Sequence, residues 1–554
     1  MTEKNKLCSL IKREGYKISL CFVFLISVVV MCFHCYGSSM HGDEFFSLGF
    51  ANNTENFLFL SPGTIEKYAQ NGWLTGEFLH DWLSVQEDGR FSLFSIYRNV
   101  KWDVHPPLYF MLLNCVSSFW VDKLTLVPGS LINIASGIII SIFIYLITRK
   151  IFKDKWVALI PPLFWVVSSG CGMTMSYIRM YAPLCALALI CLYLHMLYWE
   201  DGIKIKYVCI GLFFCTMVGT VTHYYYYLMQ FVLFCIMVAV LLLQKNIKKL
   251  FAYGMSLLGG EIISYLAWPY VIQHLFSSQR GVQVQENLAN SDLNFYKEHW
   301  EGFKYTFNTY VYEGQFKCWI AALVICVIAV GIILFVKNRK IDNPAKEIYT
   351  SVFVQKSGKK NLLMIVFTAL VYFLILFKIS YSTRWLYVSP IFSMLAIITV
   401  ACFVMVIGKL PLKNYGLYMF LAALLFMGPD ALVRIQSGIE SNREIAERHE
   451  KIVSYSDNCD ILFFYDEWDN LYDSQILDMI DFDQIRIFDV SEMEDLGYLE
   501  MLASRGDEDD FVLYIPTRVE GYHEKIVMAA EKMGAVGCEL ICEGEYAIYS
   551  AKLK

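Results

Sequence analysis

Eleven apolar stretches constrain this chain more than any other feature, since each is close to the roughly 20 residues that a helix needs to cross the hydrocarbon core of a bilayer. They fall near 18–36, 129–148, 156–177, 180–199, 206–222, 226–243, 250–271, 317–336, 361–379, 385–407 and 414–435. With 56% hydrophobic and 18% charged residues over 554 positions, the chain is too apolar for a soluble protein of this size. The expected class is an all-α polytopic membrane protein of about 11 transmembrane helices, with no nucleic-acid partner. The first stretch is long and rich in bulky residues and is followed by Tyr36-Gly37-Ser38-Ser39-Met40, without a clear small-x-small cleavage site. It reads as a retained anchor, not a secretory signal.

Orientation follows from the basic residues. The N-terminus carries Lys4, Lys6, Lys12, Arg13 and Lys17, and loops 149–155, 244–249 and 337–360 are each basic. Together with loops 200–206 and 408–413 they hold 23 of the chain's 46 Lys and Arg. These loops are expected on the cytoplasmic side of the plasma membrane. An odd number of spans then leaves the C-terminal region outside the cell.

Two long loops face outward in this topology, 37–128 and 272–316. Residues 105–121 are apolar, but a span there would turn the basic loop 149–155 outward. The segment is therefore expected as an interfacial helix started by Pro106-Pro107. The stretch 64–83, with Trp73, Phe78, Leu79 and Trp82 among charged residues, is a second interfacial element. Residues 440–554 change character, with 28 acidic against 10 basic side chains. Apolar runs such as Ile461-Leu462-Phe463-Phe464-Tyr465 alternate there with helical patterns, as expected of a small extracytoplasmic α/β domain following a membrane domain at 1–436. Most of the 17 cysteines sit within spans, and Cys459, Cys538 and Cys542 have no spacing typical of zinc ligands or of a disulfide framework.

The topology gathers five polar clusters at the outer boundary. They are Asp43-Glu44, Asp103-Val104-His105-Pro106-Pro107, Tyr177 to Tyr181, Thr222-His223-Tyr224 and Thr383-Arg384-Trp385. Acid, imidazole and guanidinium at one lipid-water boundary point to chemistry on a lipid phosphate. Arg179 and Arg384 are candidate phosphate clamps, since a guanidinium holds two phosphate oxygens at once. Each residue also has an ordinary explanation. Carboxylates solvate helix ends, arginines snorkel, and His223 beside a tyrosine run fits an aromatic belt. Glu261 lies within a span, where it needs a partner, and is left outside the site.

An Asp-Glu pair beyond the first span, an Asp-Val-His-Pro-Pro-Leu-Tyr element about 60 residues on and a later Arg-Met-Tyr form an ordered set. In this order and topology, 18–435 resembles the GT-C membrane glycosyltransferases. Within them it is most similar to bacterial relatives of the protein O-mannosyltransferases and of the lipid A aminoarabinose transferase. The resemblance implies sugar transfer from a polyprenyl-phosphate donor to a lipid, glycan or protein acceptor. It makes Asp43 the catalytic base, with Glu44 beside it, and Arg179, Tyr181, Arg384, His105, Asp103 and His223 the donor site. No cofactor or metal is expected to be required, because arginines can meet the charge of a departing monophosphate. Asp43, Glu44, Asp103 and His105 nevertheless include ligand types suited to a divalent ion. A transporter or flippase of lipid-linked sugars and a non-catalytic scaffold are the competing classes.

Overall fold

The computed structural model describes residues 3–35, 42–54, 73–101, 103–200, 204–290, 292–339, 352–380, 385–410, 414–465, 475–491 and 510–553. The helices up to the first long loop and through it are α1 (Glu3–Cys35), α2 (Gly42–Asn52), α3 (Gly76–Leu83), α4 (Leu93–Val100) and α5 (Leu108–Ser117). The chain continues with α6 (Val127–Ile151), α7 (Ile160–Val166), α8 (Ser169–Ser176), α9 (Tyr181–Trp199), α10 (Ile205–Thr222), α11 (Tyr225–Leu243) and α12 (Ile247–Ala267). Short helices α13 (Val271–Phe276), α14 (Gln279–Ala289) and α15 (Leu293–Tyr310) make up the second long loop. Four long helices follow: α16 (Phe316–Arg339), α17 (Gln355–Ile379), α18 (Trp385–Ile407) and α19 (Tyr415–Val453).

Among the described residues ten helices are long and apolar enough to cross a membrane, and eleven spans result when the bent pair Val157–Val166 and Ser169–Ser176 counts as one. The protein is thus a multi-pass membrane protein. At ten residues, α5 is too short to cross.

Among the described residues one bent pair departs from plain spans. Between α7 and α8 the axis turns by 56°, and a break between two apolar helices leaves backbone groups that need partners. The Ser168 hydroxyl accepts the Cys171 amide at 3.2 Å, capping α8. The Glu313 carboxylate accepts the Ser169 amide at 2.6 Å and also the Ser169 hydroxyl. Arg434 donates to the Val167 carbonyl and pairs with Glu313 at 2.7 Å. An ion pair between the turn before α16 and the last long helix, α19, therefore satisfies the break. Glu261, by contrast, accepts from Gln230 Nε2 at 3.0 Å, an ordinary bond between neighbouring helices.

Contacts divide the chain into two compact units. One comprises residues 1–36, 103–109 and 129–437, and the other 37–102, 110–128 and 438–554. The first loop is therefore grouped mainly with the C-terminal residues. In the first unit the spans pack through apolar side chains such as Val23, Ile144, Leu163, Leu189 and Ile397, all buried.

In the second unit the C-terminal domain adds helices α20 (Ile476–Met479) and α21 (Tyr522–Lys532) to strands β1 (Cys459–Tyr465), β2 (Ile485–Asp489), β3 (Asp510–Pro516), β4 (Gly537–Glu543) and β5 (Tyr546–Lys552). The sheet order is β2-β1-β3-β5-β4. Strand β1 runs parallel to β2 and β3, while β5 is antiparallel to β3 and β4. The small α/β domain expected from the alternating pattern is present as this mixed sheet. In the first loop, α3 buries Leu79, Trp82 and Leu83, and α5 buries Phe110 and Leu113, so these apolar side chains pack within protein. Residues 64–72 of the stretch 64–83 lie outside the described residues.

Candidate active site

The turns after α8, α10 and α12 lie at the same end of the spans, because successive spans alternate in direction. The segment 103–109, which belongs to the same compact unit, joins them. There the two prolines restrict the chain before them to extended backbone and lead into α5. His105 Nδ1 donates to Asp103 Oδ2 at 2.8 Å, with side-chain exposures of only 18% and 11%. Burial alone raises the pKa of Asp103, but the charge and hydrogen bond of His105, then Arg179 and the Val104 amide, hold it below its ordinary value. Asp103 is accordingly an anion that fixes the imidazole of His105.

His223 ends α10 in extended backbone, at φ −160° and ψ 139°. Its Nδ1 accepts the Tyr225 amide at 3.0 Å, so the remaining proton of the neutral ring is assigned to Nε2. That Nε2 is buried and has no hydrogen-bond partner among the described residues. Burial, then the charges of His105 and Arg179, push the pKa of His223 well below 6.5. The ring of His223 lies 5.9 Å from that of His105 and 5.4 Å from that of Tyr181. The structure thus presents a neutral imidazole N–H with no acceptor among the described residues, inside a polar cluster.

Arg179 is 5% exposed, in the turn between α8 and α9. A residue absent from the sequence-based candidates holds that turn. Asn133 of α6, fully buried, donates to the carbonyls of Met175 at 2.8 Å and Tyr177 at 2.9 Å, on either side of the end of α8. With Glu313 at one end of α8 and Asn133 at the other, the backbone leading to Arg179 is tied down at both. An asparagine within an apolar span is the signal that sequence reading passed over.

Asp103, His105, Arg179, Tyr181 and His223 come together in one compact unit. Asp43 and Glu44 belong to the other, where they form the first turn of α2 and Glu44 is 1% exposed. Carboxylates at that position are favoured by the positive end of the helix. Arg384 lies outside the described residues. Among the described residues no three His, Cys, Asp or Glu side chains are grouped to hold a metal ion.

No protein-family model matches the sequence, and no curated protein matches it. Its structural neighbours include ArnT. The apo structure of ArnT from Cupriavidus metallidurans gives a TM-score of 0.48, and the structure of that ArnT bound to undecaprenyl phosphate gives 0.47. In both comparisons identity is 10%, with 97% of this chain and 98% of the ArnT chain covered.

Beside His223, the hydroxyl of Tyr224 accepts from Trp268 Nε1 at 3.0 Å and is hydrogen-bonded to His274 Nδ1 at 2.9 Å. Asp103 acts electrostatically on Tyr224, so this triad borders the cluster. Trp268 and His274 follow a span, where belt residues are common, and only their shared hydroxyl distinguishes them.

The state of His223 has a measurable consequence. Its folded pKa lies below the ordinary 6.5, so the unfolded chain takes up this proton first as pH falls. Stability present above pH 6.5 is therefore lost below it, by at most about 1.4 kcal/mol per pH unit for one proton. Thermal unfolding should shift to lower temperature from pH 6.5 to about 5, and His223→Phe should flatten that slope. An unchanged slope in the variant would assign the proton uptake to another group.

Proposed function

We propose that this chain is a membrane glycosyltransferase that moves a sugar from a polyprenyl-phosphate donor to an acceptor hydroxyl at the outer face of the cytoplasmic membrane. The reading is carried by the neutral His223 N–H, buried without an acceptor among the described residues in the same cluster as the buried cation Arg179. A buried donor beside a guanidinium suits an anion with several acceptor oxygens, and a phosphate monoanion or dianion meets that description. Position at the end of the spans suits a phosphate carried on a lipid chain.

In the proposed step the acceptor oxygen attacks the anomeric carbon while the bond from that carbon to phosphate oxygen breaks. The departing polyprenyl phosphate keeps the electron pair. Arg179, with Arg384, stabilises the charge that grows on the leaving oxygen, and His223 donates to it. Asp103 holds His105 in one orientation toward the donor, and Tyr181 walls the sugar. Asp43 receives the acceptor's proton, with Glu44 beside it, a role taken from the motif order. A monophosphate leaving group presents no more charge than two arginines can meet, so the step as written uses no divalent ion. The acceptor is a lipid, glycan or protein hydroxyl.

Binding of undecaprenyl phosphate to the purified full chain in nanodiscs tests the reading. His223→Phe should weaken it about tenfold, the effect of one lost hydrogen bond to a charged group. Unchanged affinity would remove the observation on which the reading stands. The break at Val167–Ser168 favours a second reading as a transporter of lipid-linked sugars, since interrupted spans line such pathways. Sealed proteoliposomes separate the two, because transport moves the labelled sugar lipid intact, whereas transfer cleaves it.

A further inference from the structure

The C-terminal domain has a role in the second unit that begins at its edge strand. Leu74, from the first loop, adds to β2 as a further antiparallel partner. Its amide donates to the Ile485 carbonyl at 2.9 Å, and the Ile485 amide donates back to the Leu74 carbonyl at 2.8 Å. Trp73 enters the domain's own core beside Leu462 and Phe488, and the guanidinium of Arg486 sits 5.6 Å above its ring.

Two residues on, the Gly76 amide donates to the Phe482 carbonyl at 2.9 Å. A Cβ at Gly76 would lie 2.3 Å from the Ile480 oxygen and 2.5 Å from that of Phe482. Only glycine permits this approach of two backbones. Gly76 is also the first residue of α3, whose cap is Thr75 accepting the Phe78 amide at 3.0 Å. The register of α3 is thus set by the C-terminal domain.

From α3 the path continues to α2. Trp82 lies 4.6 Å from Phe45, ring to ring. It also covers Gly49, where a Cβ would be 2.4 Å from its ring. Asn52 at the end of α2 donates to the Leu83 carbonyl at 2.6 Å. Phe45 follows Asp43 and Glu44 directly in the first turn of α2. A continuous series of backbone hydrogen bonds and packed rings therefore links β2 to the helix that bears the two carboxylates.

We infer that the C-terminal domain is a brace that positions α2, with Gly76 and Trp82 as positioning residues for the carboxylates of Asp43 and Glu44. The inference rests on the proposed role of Asp43 as base. A displaced base slows proton removal but leaves the hold on the phosphate unaltered, since Arg179, His105 and His223 belong to the other unit. Rate and donor affinity should therefore separate.

Single-turnover sugar transfer and undecaprenyl phosphate affinity are measured on the folded full chain for Gly76→Ala, Asp43→Asn and the double variant. Gly76→Ala should slow transfer about 10- to 100-fold, as misplacement of a catalytic group by an ångström does, with affinity within about twofold of the parent. In the Asp43→Asn background it should cost nothing further. Trp82→Ala, which leaves the sheet untouched, should give the same separation, and Trp82→Phe should restore most of the rate. A normal rate in both Gly76→Ala and Trp82→Ala, beside an inactive Asp43→Asn, overturns the brace and leaves the base. Equal losses of rate and affinity, or losses that multiply with Asp43→Asn, also overturn it. A normal rate in Asp43→Asn overturns the base and the brace with it.

Discussion

Asp43→Asn should lower sugar transfer by about two to four orders of magnitude while donor binding stays nearly unchanged. The amide keeps the size of the side chain and much of its hydrogen bonding, and removes only the ability to accept a proton. Loss of a positioned general base costs that range. Asp43 lies in the first turn of α2, where an anion is favoured by the helix end, so part of any loss in stability comes from that contact. Thermal unfolding measured alongside turnover separates the two effects. Near-normal turnover in a well-folded variant would exclude the catalytic role and favour a transporter or scaffold.

Arg179→Ala is the second large effect, and unlike the first it should reach binding and turnover together. A charge-assisted contact to phosphate contributes about 1.5–3 kcal/mol, so undecaprenyl phosphate should bind about 10- to 150-fold more weakly. Turnover should fall as well, because the same guanidinium stabilises charge on the leaving oxygen. Arg179→Lys should recover only part of this, since an ammonium keeps the charge and loses the two-pronged geometry. An arginine that only snorkels predicts the reverse, with reduced expression in Ala, intact activity per folded molecule and full rescue by Lys. Affinity and single-turnover rate on the two variants, each normalised to folded protein, decide between these outcomes.

The positions of the spans were legible because lipid accepts few solutions, and a run of about 20 apolar residues has one ready structure in it. The bend within 156–177 was not. Pro161 and Pro162 start α7 and do not lie at Val167–Ser168, and the local sign of the break is only the cap residue Ser168 with Ser169 and Gly170 behind it. Its partners, Glu313 and Arg434, are 144 and 267 residues away along the chain. The polar cluster was legible in part, since alternation of spans placed Asp103, His105, Arg179, Tyr181 and His223 at one end. Asn133 was missed because a single asparagine in an apolar run carries no sign of the two carbonyls it holds.

What the sequence determined by itself, then, is set by solvent: which segments sit in lipid, which polar residues share a boundary, and where an acidic domain begins. These follow from transfer free energies, which each residue carries wherever the chain goes. The protonation state of His223, the ion pair that satisfies the break and the pairing of Leu74 with Ile485 were decided by the tertiary structure alone. The first depends on burial and on the charges of His105 and Arg179, the other two on partners brought close by folding, and hydrogen bonds and ion pairs act over a few ångströms of space, whatever the separation in sequence.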